Sequence, residues 1–516
     1  MLGMSIGRRE IFTDETVITS ENIVKVLRQA FVEHQINADR INFLLRYEAG
    51  NQPIMREKKY RADINVQCVD NVANEITEFK LGFKWGNPIT LVQRGESDSG
   101  KEYEPKGISL LNEQYETAGI KSKTQQLARF IEIGGLGYTF VDINTDYEDG
   151  DAFFNLEVLD PRCTFVVKSN SVGKKKMLGV TYRKDDKGNS FFTAFTRARR
   201  YEIINLVKVI NADGGEEDVD EWYEGNRSGE MNPLGEIPII EWQRSYDRMG
   251  CFERQIPDMD ALNILESDMI NASSEQVDCI WHCNDVDFPE DENGNIEHPQ
   301  SNDWLQTYTS KDGKTPFVTP LSPNYDYAGN LDNVKSKRAL ILQKCDVPQR
   351  DTTAGGSSGI AMSDATGWSA AESSACKDEQ ITTLCKMEEV KVVLKAIKKS
   401  PYIEQDNAML KLKYSDMVPN IKRQKTYEMT VKINAFATGV SHGLNGYHML
   451  KAINMFDDPN MVWEDSKEGV EAFQKTILEP KQSAQPEGGD GEKAPDSERT
   501  MQDHSDQVER SPRLNG

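Results

Sequence analysis

The stretch Thr352-Thr353-Ala354-Gly355-Gly356-Ser357-Ser358-Gly359-Ile360-Ala361-Met362-Ser363 has the glycines and hydroxyls of a phosphate cradle. A nucleotide-binding loop reads G-x-x-x-x-G-K-S/T, its lysine holding phosphate charge and its hydroxyl holding Mg²⁺. Here no lysine or arginine occurs between Arg350 and Lys377, and a helical pattern precedes the stretch instead of a strand. Small side chains and permissive glycines leave two readings. One is a flexible connector; the other is a loop that changes shape repeatedly while something slides past it. A second cluster, Gly134-Gly135-Leu136-Gly137, follows a helix and enters a strand, the reverse of a dinucleotide fingerprint.

Carboxylates are the next candidates. From Gln255 to Ser310 there is no lysine or arginine, but there are thirteen acids. Six of them, Asp258, Asp260, Glu266, Asp268, Glu275 and Asp278, fall on a helical pattern. At ~100° per residue Asp260, Asp268, Glu275 and Asp278 share a face, but at ~1.5 Å per residue Asp260 and Asp278 stand ~27 Å apart. Such acids line a rod and do not converge on a metal as nuclease carboxylates do. A solvated acidic face is the plain alternative. Of eight cysteines only Cys279 and Cys283 are close, with His282 between them. A zinc site needs a second pair, which the sequence lacks, so these are expected to be helix thiols. No nucleophile has an evident base among the six scattered histidines. The expectation is no catalysis, no cofactor and no metal.

The net charge of −23 disfavours a free-standing nucleic-acid grip, since such proteins are usually basic. Contact with nucleic acid that must not grip stays open. No stretch approaches the ~18 apolar residues of a membrane span, and MLGMSIGRREIFTDE has no apolar core of a secretory signal.

These residues need elements to position them. The spacing predicts a helix over 20–48, a helix from 71 stopping at Gly82 or Gly86 and running into a strand, and a helix over 105–133 capped by Gly134-Gly135. From 137 to 245 alternating runs separated by Asp/Gly/Asn turns predict strands. The acidic helix is predicted over 257–283, with Met259, Leu262, Leu265, Met269, Ala272, Gln276 and Ile280 on its apolar stripe. A small β-containing unit with strand-like QTYT and FVT follows, then a returning helix ended by Pro348. A long helix is predicted over 364–399, its later apolar positions including Ile381, Leu384, Cys385, Val390, Val393, Leu394 and Ile397. MLKLKYSDMVP at 409–419 is strand-like, two or three helices reach about 478, and the polar remainder is predicted to be disordered.

Several segments stand in a telling order: Tyr47-x-x-Gly50-x-Gln52, Gly82-Phe83-x-x-Gly86-Asn87-Pro88, Gly135-x-Gly137-Tyr138, Val158-Leu159-Asp160-Pro161-Arg162 and Leu234-Gly235-Glu236-Ile237-Pro238-Ile239-Ile240-Glu241. They continue with Asp260-Ala261-Leu262-Asn263-x-x-x-Ser267-Asp268, Ser358-Gly359-Ile360-Ala361-Met362 and Phe456-Asp457-Asp458-Pro459. In order and spacing, over about residues 40–465, the chain resembles the portal proteins of tailed bacteriophages, of the Bacillus siphophage type.

That resemblance implies an α+β portal fold: wing 1–256, stem helix 257–283, clip 284–330, returning stem helix 331–349, tunnel loop and long wing helix 350–400, wing strand and helical crown 401–479, and an acidic tail 480–516. It implies a homo-oligomeric ring, usually of twelve, at one capsid vertex of the virion. Double-stranded DNA would pass through it. The terminase large subunit and head-completion or adaptor proteins would dock on the clip, for which Asp291, Glu292, Trp304 and Tyr308 are the candidates. Major capsid and scaffolding proteins would surround it, with no membrane involved. Thr352, Thr353, Gly355, Gly356, Ser357, Ser358, Gly359, Ile360, Met362 and Ser363 become the DNA-facing tunnel loop. The six helix acids become channel candidates, in a ring whose wall offers phosphate no cation to bind. Basic patches such as Arg56/Lys58/Lys59/Arg61 and Lys174/Lys175/Lys176 either pair with acids of neighbouring subunits or face solvent. An ATP-driven motor subunit using the glycine-rich loop and a non-portal acidic scaffold are the alternatives.

Overall fold

The computed structural model describes residues 7–54, 65–94, 105–210, 216–225, 229–277, 280–284, 317–321, 326–349, 367–423, 429–453, 456 and 459–478. Helix α1 (Ile23–Glu48) buries Val26, Leu27, Ala30, Phe31, Ile41 and Leu44, a three-and-four spacing that makes one apolar face. Its first half covers a seven-stranded sheet. The order is β1 (Ile11–Thr13), β5 (Thr164–Ser169), β6 (Lys176–Lys184), β7 (Ser190–Phe195), β8 (Arg199–Ile210) and β10 (Glu230–Met231), with β9 (Glu216–Glu224) also paired to β8. Only β1–β5 is parallel; the rest is an antiparallel meander. Phe31 fits edge-on between Tyr182 and Phe192, with ring centroids 5.2 and 5.0 Å away.

A second layer packs α3 (Pro105–Thr117), α4 (Ile120–Gly134) and α7 (Trp368–Lys399) around a three-stranded sheet, β11 (Ile239–Gln243)–β3 (Leu136–Ile143)–β4 (Phe154–Leu159). The single helix predicted over 105–133 is two. Gly119 adopts φ +76°, a left-handed turn open to glycine, and one helix ends and the next begins there. Gly135, at φ +75°, caps α4 as the glycine pair predicts. Strand β2 (Thr90–Gln93) pairs with β14 (Met417–Asn420). The strand predicted over 409–419 keeps only that end: Ala408–Lys411 and Tyr414–Asp416 are 3₁₀ turns. Met409 and Leu412 are both buried, and a spacing of three suits a 3₁₀ turn where a strand would need two.

The third core joins the second half of α1 and α2 (Val72–Trp85) to α5 (Ile256–Val277) and α6 (Tyr327–Lys344), through Leu44, Ile76, Met259, Leu262 and Ile341. Helix α5 is shorter than predicted. It stops at Val277, and Ile280–Asn284 is a strand, β12, paired antiparallel with β13 (Phe317–Leu321). Ile280, Trp281 and His282 suit a pleated strand, and pairing with the predicted FVT strand overrides the helical stripe. Cys283 is therefore a strand residue, and Cys279 lies outside the described residues. Helix α7 starts at Trp368, four residues later than predicted, behind Gly367 at φ +89°. Leu384, placed on its apolar stripe by spacing, is 64% exposed, whereas Ile381, Cys385, Val390, Val393, Leu394 and Ile397 are buried. Three helices, α8 (Met429–Ser441), α9 (Gly446–Ile453) and α10 (Pro459–Leu478), pack on one another at the end of the described chain.

Candidate functional site

The acidic helix α5 is the part of the proposed working surface that the structure describes best. Asp258 lies in its first turn and accepts hydrogen bonds from Lys337 Nζ (2.9 Å) and Lys344 Nζ (2.7 Å) of α6. These two bonds hold its carboxyl below the usual range. Asp260 Oδ1 accepts from the Tyr47 hydroxyl at 2.7 Å, and burial together with that carboxylate pushes the phenol up. Glu266 is half-buried; burial, then the charge of Asp70, raises its carboxyl. Asp268 is exposed. The backbone of Glu275 is helical, and Asp278 lies outside the described residues. The acids thus fan in several directions. Asp260, predicted on the same face as Asp268, turns instead to Tyr47.

Helix α6 carries the cations that α5 lacks. Besides its two lysines on Asp258, Arg338 Nε donates to Asp70 Oδ2 at 2.9 Å and its fork also meets Glu75. Part of the charge asymmetry of the sequence is settled inside one chain, between consecutive helices.

A second feature of α5 is neutral and periodic. Asn263, Ser267 and Asn271 are buried at four-residue spacing and grip the extended segment 65–70. Asn263 Oδ1 accepts from Asp70 N (3.0 Å), Ser267 Oγ from Cys68 N (3.0 Å) and Asn271 Oδ1 from Val66 N (2.8 Å). Asn271 Nδ2 donates back to Val66 O at 2.9 Å. One helical step of four residues rises about 6 Å, and two residues of extended chain advance about 6.7 Å, so the repeats stay in register over three rungs. Gln52 closes the ladder: it accepts from Asn263 Nδ2 (2.7 Å) and donates to Asn71 Oδ1 (2.9 Å) and Tyr47 O (3.1 Å). Sequence reasoning quoted Tyr47, Gln52, Asn263 and Ser267 without assigning them this task. The signal was present, as small polar residues at i, i+4 and i+8 on a helix.

The glycine-rich stretch itself, from Thr352 to Ser363, lies outside the described residues, as do Asp291, Glu292, Trp304 and Tyr308. Its flanks are described. A β-carbon on Gly367 would stand 3.8 Å from the Cα of Pro348, so the chain leaves and re-enters the body at adjacent points. Trp368 then packs against Phe79 and Phe83 of α2, with centroids 6.0 and 5.8 Å away.

Helix α7 is tied to the body by buried charge. Glu132 accepts from Lys84 Nζ (2.5 Å), Trp85 Nε1 (2.9 Å) and Arg244 Nε (3.0 Å), and Asp378 of α7 accepts from the same lysine at 2.7 Å. Burial would raise the Glu132 carboxyl, but Lys84 and Arg244 bring it to about 2. Glu241, between Arg248 and Lys168, reaches about 2 against its own burial in the same way. Glu389 accepts from Lys386 Nζ (2.5 Å) and Thr139 Oγ1 (3.1 Å). Of the predicted basic patches, Lys174 pairs with Glu10 and Lys176 with Glu388, both within the chain; Arg56, Lys58, Lys59 and Arg61 lie outside the described residues. Among the described residues no three His, Cys, Asp or Glu side chains converge to hold a metal, and no helix is long and apolar enough to cross a membrane.

Compared with known families, the chain matches the phage portal protein family, SPP1 Gp6-like, over residues 29–433. The chain belongs to that family. The match spans from within α1 into the first turn of α8, so it contains both flanks of the glycine-rich loop, the ladder and strands β12 and β13. The segment Phe456–Pro459 and helices α9 and α10 fall outside it. No curated protein matches the chain. The portal family is a structural, non-enzymatic one of virion capsid components, and the mixed helix-and-sheet fold is consistent with it.

Proposed function

We propose that this chain, of the Bacillus siphophage type of portal, assembles as a closed ring of twelve copies at one capsid vertex. The ring is a passive conduit for double-stranded DNA during packaging and ejection. The family match over residues 29–433 carries this reading. The 56 residues from Gln255 to Ser310 without one lysine or arginine support it, because each phosphate neutralised by a cation strengthens binding and slows sliding. The loop 352–363 contacts DNA sterically and without a cation. Asp268 is exposed on α5, with Glu275 and Asp278 further along the chain. The region 284–330, including Asp291, Glu292, Trp304 and Tyr308, receives the terminase large subunit and later the head-completion proteins.

Electron microscopy of the purified full-length chain tests this: particles should be closed rings with a central hole. Monomers, or open aggregates without a hole, would favour an acidic scaffold. The same preparation should hydrolyse no ATP. Turnover abolished by Gly359→Val would favour a motor subunit.

A further inference from the structure

Strand β9 reads Glu216-Glu217-Asp218-Val219-Asp220-Glu221-Trp222-Tyr223-Glu224, six acids in nine residues. Among the described residues it pairs only with β8, so its outer edge is an unpaired row of backbone donors and acceptors. An edge of this kind invites pairing with another chain. Two copies of β9 could not serve each other, because acids would stand opposite acids. Asp220 is engaged by Arg28 of α1; the acids on either side of it remain on the strand.

A basic island lies at the other end of the same strand β8. Arg197 Nε (3.1 Å), Lys391 Nζ (3.6 Å) and Lys395 Nζ (2.7 Å) all converge on Glu236, whose side chain is only 12% exposed. Lys399 joins them through Pro233 O at 2.6 Å. Three cations share one carboxylate and a fourth stands on a carbonyl, so the island keeps a surplus of positive charge on a chain of net −23. Arg197 precedes the first residue of β8 by two, whereas Glu216 and Glu217 pair with its last two residues, Ile210 and Val209. Glu221 pairs with Leu206, and seven steps from Arg199 to Leu206 at ~3.3 Å each put about 23 Å between it and the start of β8, with Glu217 farther still. Glu217 and Glu221 and the basic island of one chain therefore cannot meet. Those of two chains can.

We propose that the acidic β9 edge of one copy docks on the basic island formed by Arg197, Lys391, Lys395 and Lys399 of a second copy of this chain. Two complementary patches set apart along one strand allow the contact to run head-to-tail. Repeated contacts of that kind close into a ring when the rotation between copies closes, whereas like charges block pairing of two β9 edges. The inference rests on the ring reading above and adds to it the surface that joins neighbours.

Charge reversal in the full-length chain tests it. E217K/E221K gives the edge lysines, and K391E/K395E makes the island acidic. Each variant alone should require about tenfold or more protein for half-assembly, since like charges facing across an interface cost several kcal/mol. An equimolar mixture should form rings again, because each variant then meets its complement. Normal assembly by E217K/E221K alone would overturn the proposal, as would failure of the mixture when both variants melt like wild type. If K391E/K395E melts early, E217K/E221K decides alone, for it touches nothing in the island. Wild-type protein that forms no ring would instead sink the ring reading itself.

Discussion

The two long helices α5 and α7 are both fastened by polar groups, but of different kinds. At α7 the fastenings are charges: Asp378 reaches Lys84 and Arg244, which also hold Glu132, and the Lys386–Glu389 pair is buried against Thr139. At α5 the principal fastening is the neutral ladder of Asn263, Ser267 and Asn271 on the backbone of 65–70. Buried charges are costly unless every partner is present, so the α7 joint has one strong arrangement. Neutral rungs each contribute modestly and repeat along the helix, so the α5 joint depends on length and register more than on any one residue. The first joint should fail abruptly and with pH; the second should weaken rung by rung, its rungs carrying no titrating side chain.

The largest expected effect comes from Glu132→Ala. It leaves Lys84 and Arg244 buried with Asp378 as their remaining acid, and breaking a buried pair this way costs roughly 3–5 kcal/mol. A thermal melt should show it, and hydrogen exchange should place the loss in α2, α4 and α7. Protection lost equally at 65–70 would mean that the two joints are one.

Acid is the next lever, and the sign is fixed by the direction of the shifts. Glu132 and Glu241 both reach about 2 in the folded chain, below the ordinary 4.5. Their contribution is therefore fully present above about 4.5 and is lost as pH falls toward about 2. The ladder side chains do not titrate. Melting temperature should drop across that window, with exchange rising in α7 before it rises at Val66, Cys68 and Asp70. The reverse order would break the contrast.

Much of this was legible in the sequence, and the gaps have physical causes. Helices α1 and α2 and the strands from 137 to 245 were readable because one face of each is buried, which stamps a period of 3.6 or 2 on the residues. Helix α5 was readable only to Val277, since Ile280 continues the helical stripe and only pairing with Phe317–Leu321, more than thirty residues away, makes it a strand. Leu384 fits a helical stripe that α7 does not bury, because packing partners are set by other elements. The acids of α5 were visible as a run, but not that Lys337 and Lys344 would meet Asp258 or that Tyr47 would meet Asp260. Charge partners come from the fold. The ladder was missed for a different reason: Asn and Ser in a helix read as a solvated face until an extended segment is known to lie on them.

The smallest effect is the one that tests the ladder as a ladder. Asn263→Ala removes the acceptor for Asp70 N and the donor to Gln52 Oε1, in a place where Gln52 is buried and Asp70 half-buried. Leaving such groups unpaired costs about 1–3 kcal/mol. Asn271→Ala should cost the same or less, for its partner Val66 is 46% exposed and can turn to solvent. If the rungs act in register, the double variant should lose more than the sum of the two, because freeing both ends lets segment 65–70 lift as a unit from Ser267. Exchange at the Cys68 amide reports this directly: it should stay slow in either single variant and become fast in the double. Strict additivity, with Cys68 equally protected throughout, would reduce the ladder to three separate hydrogen bonds and leave the acid-base pairs between α5 and α6 as the main hold on the helix.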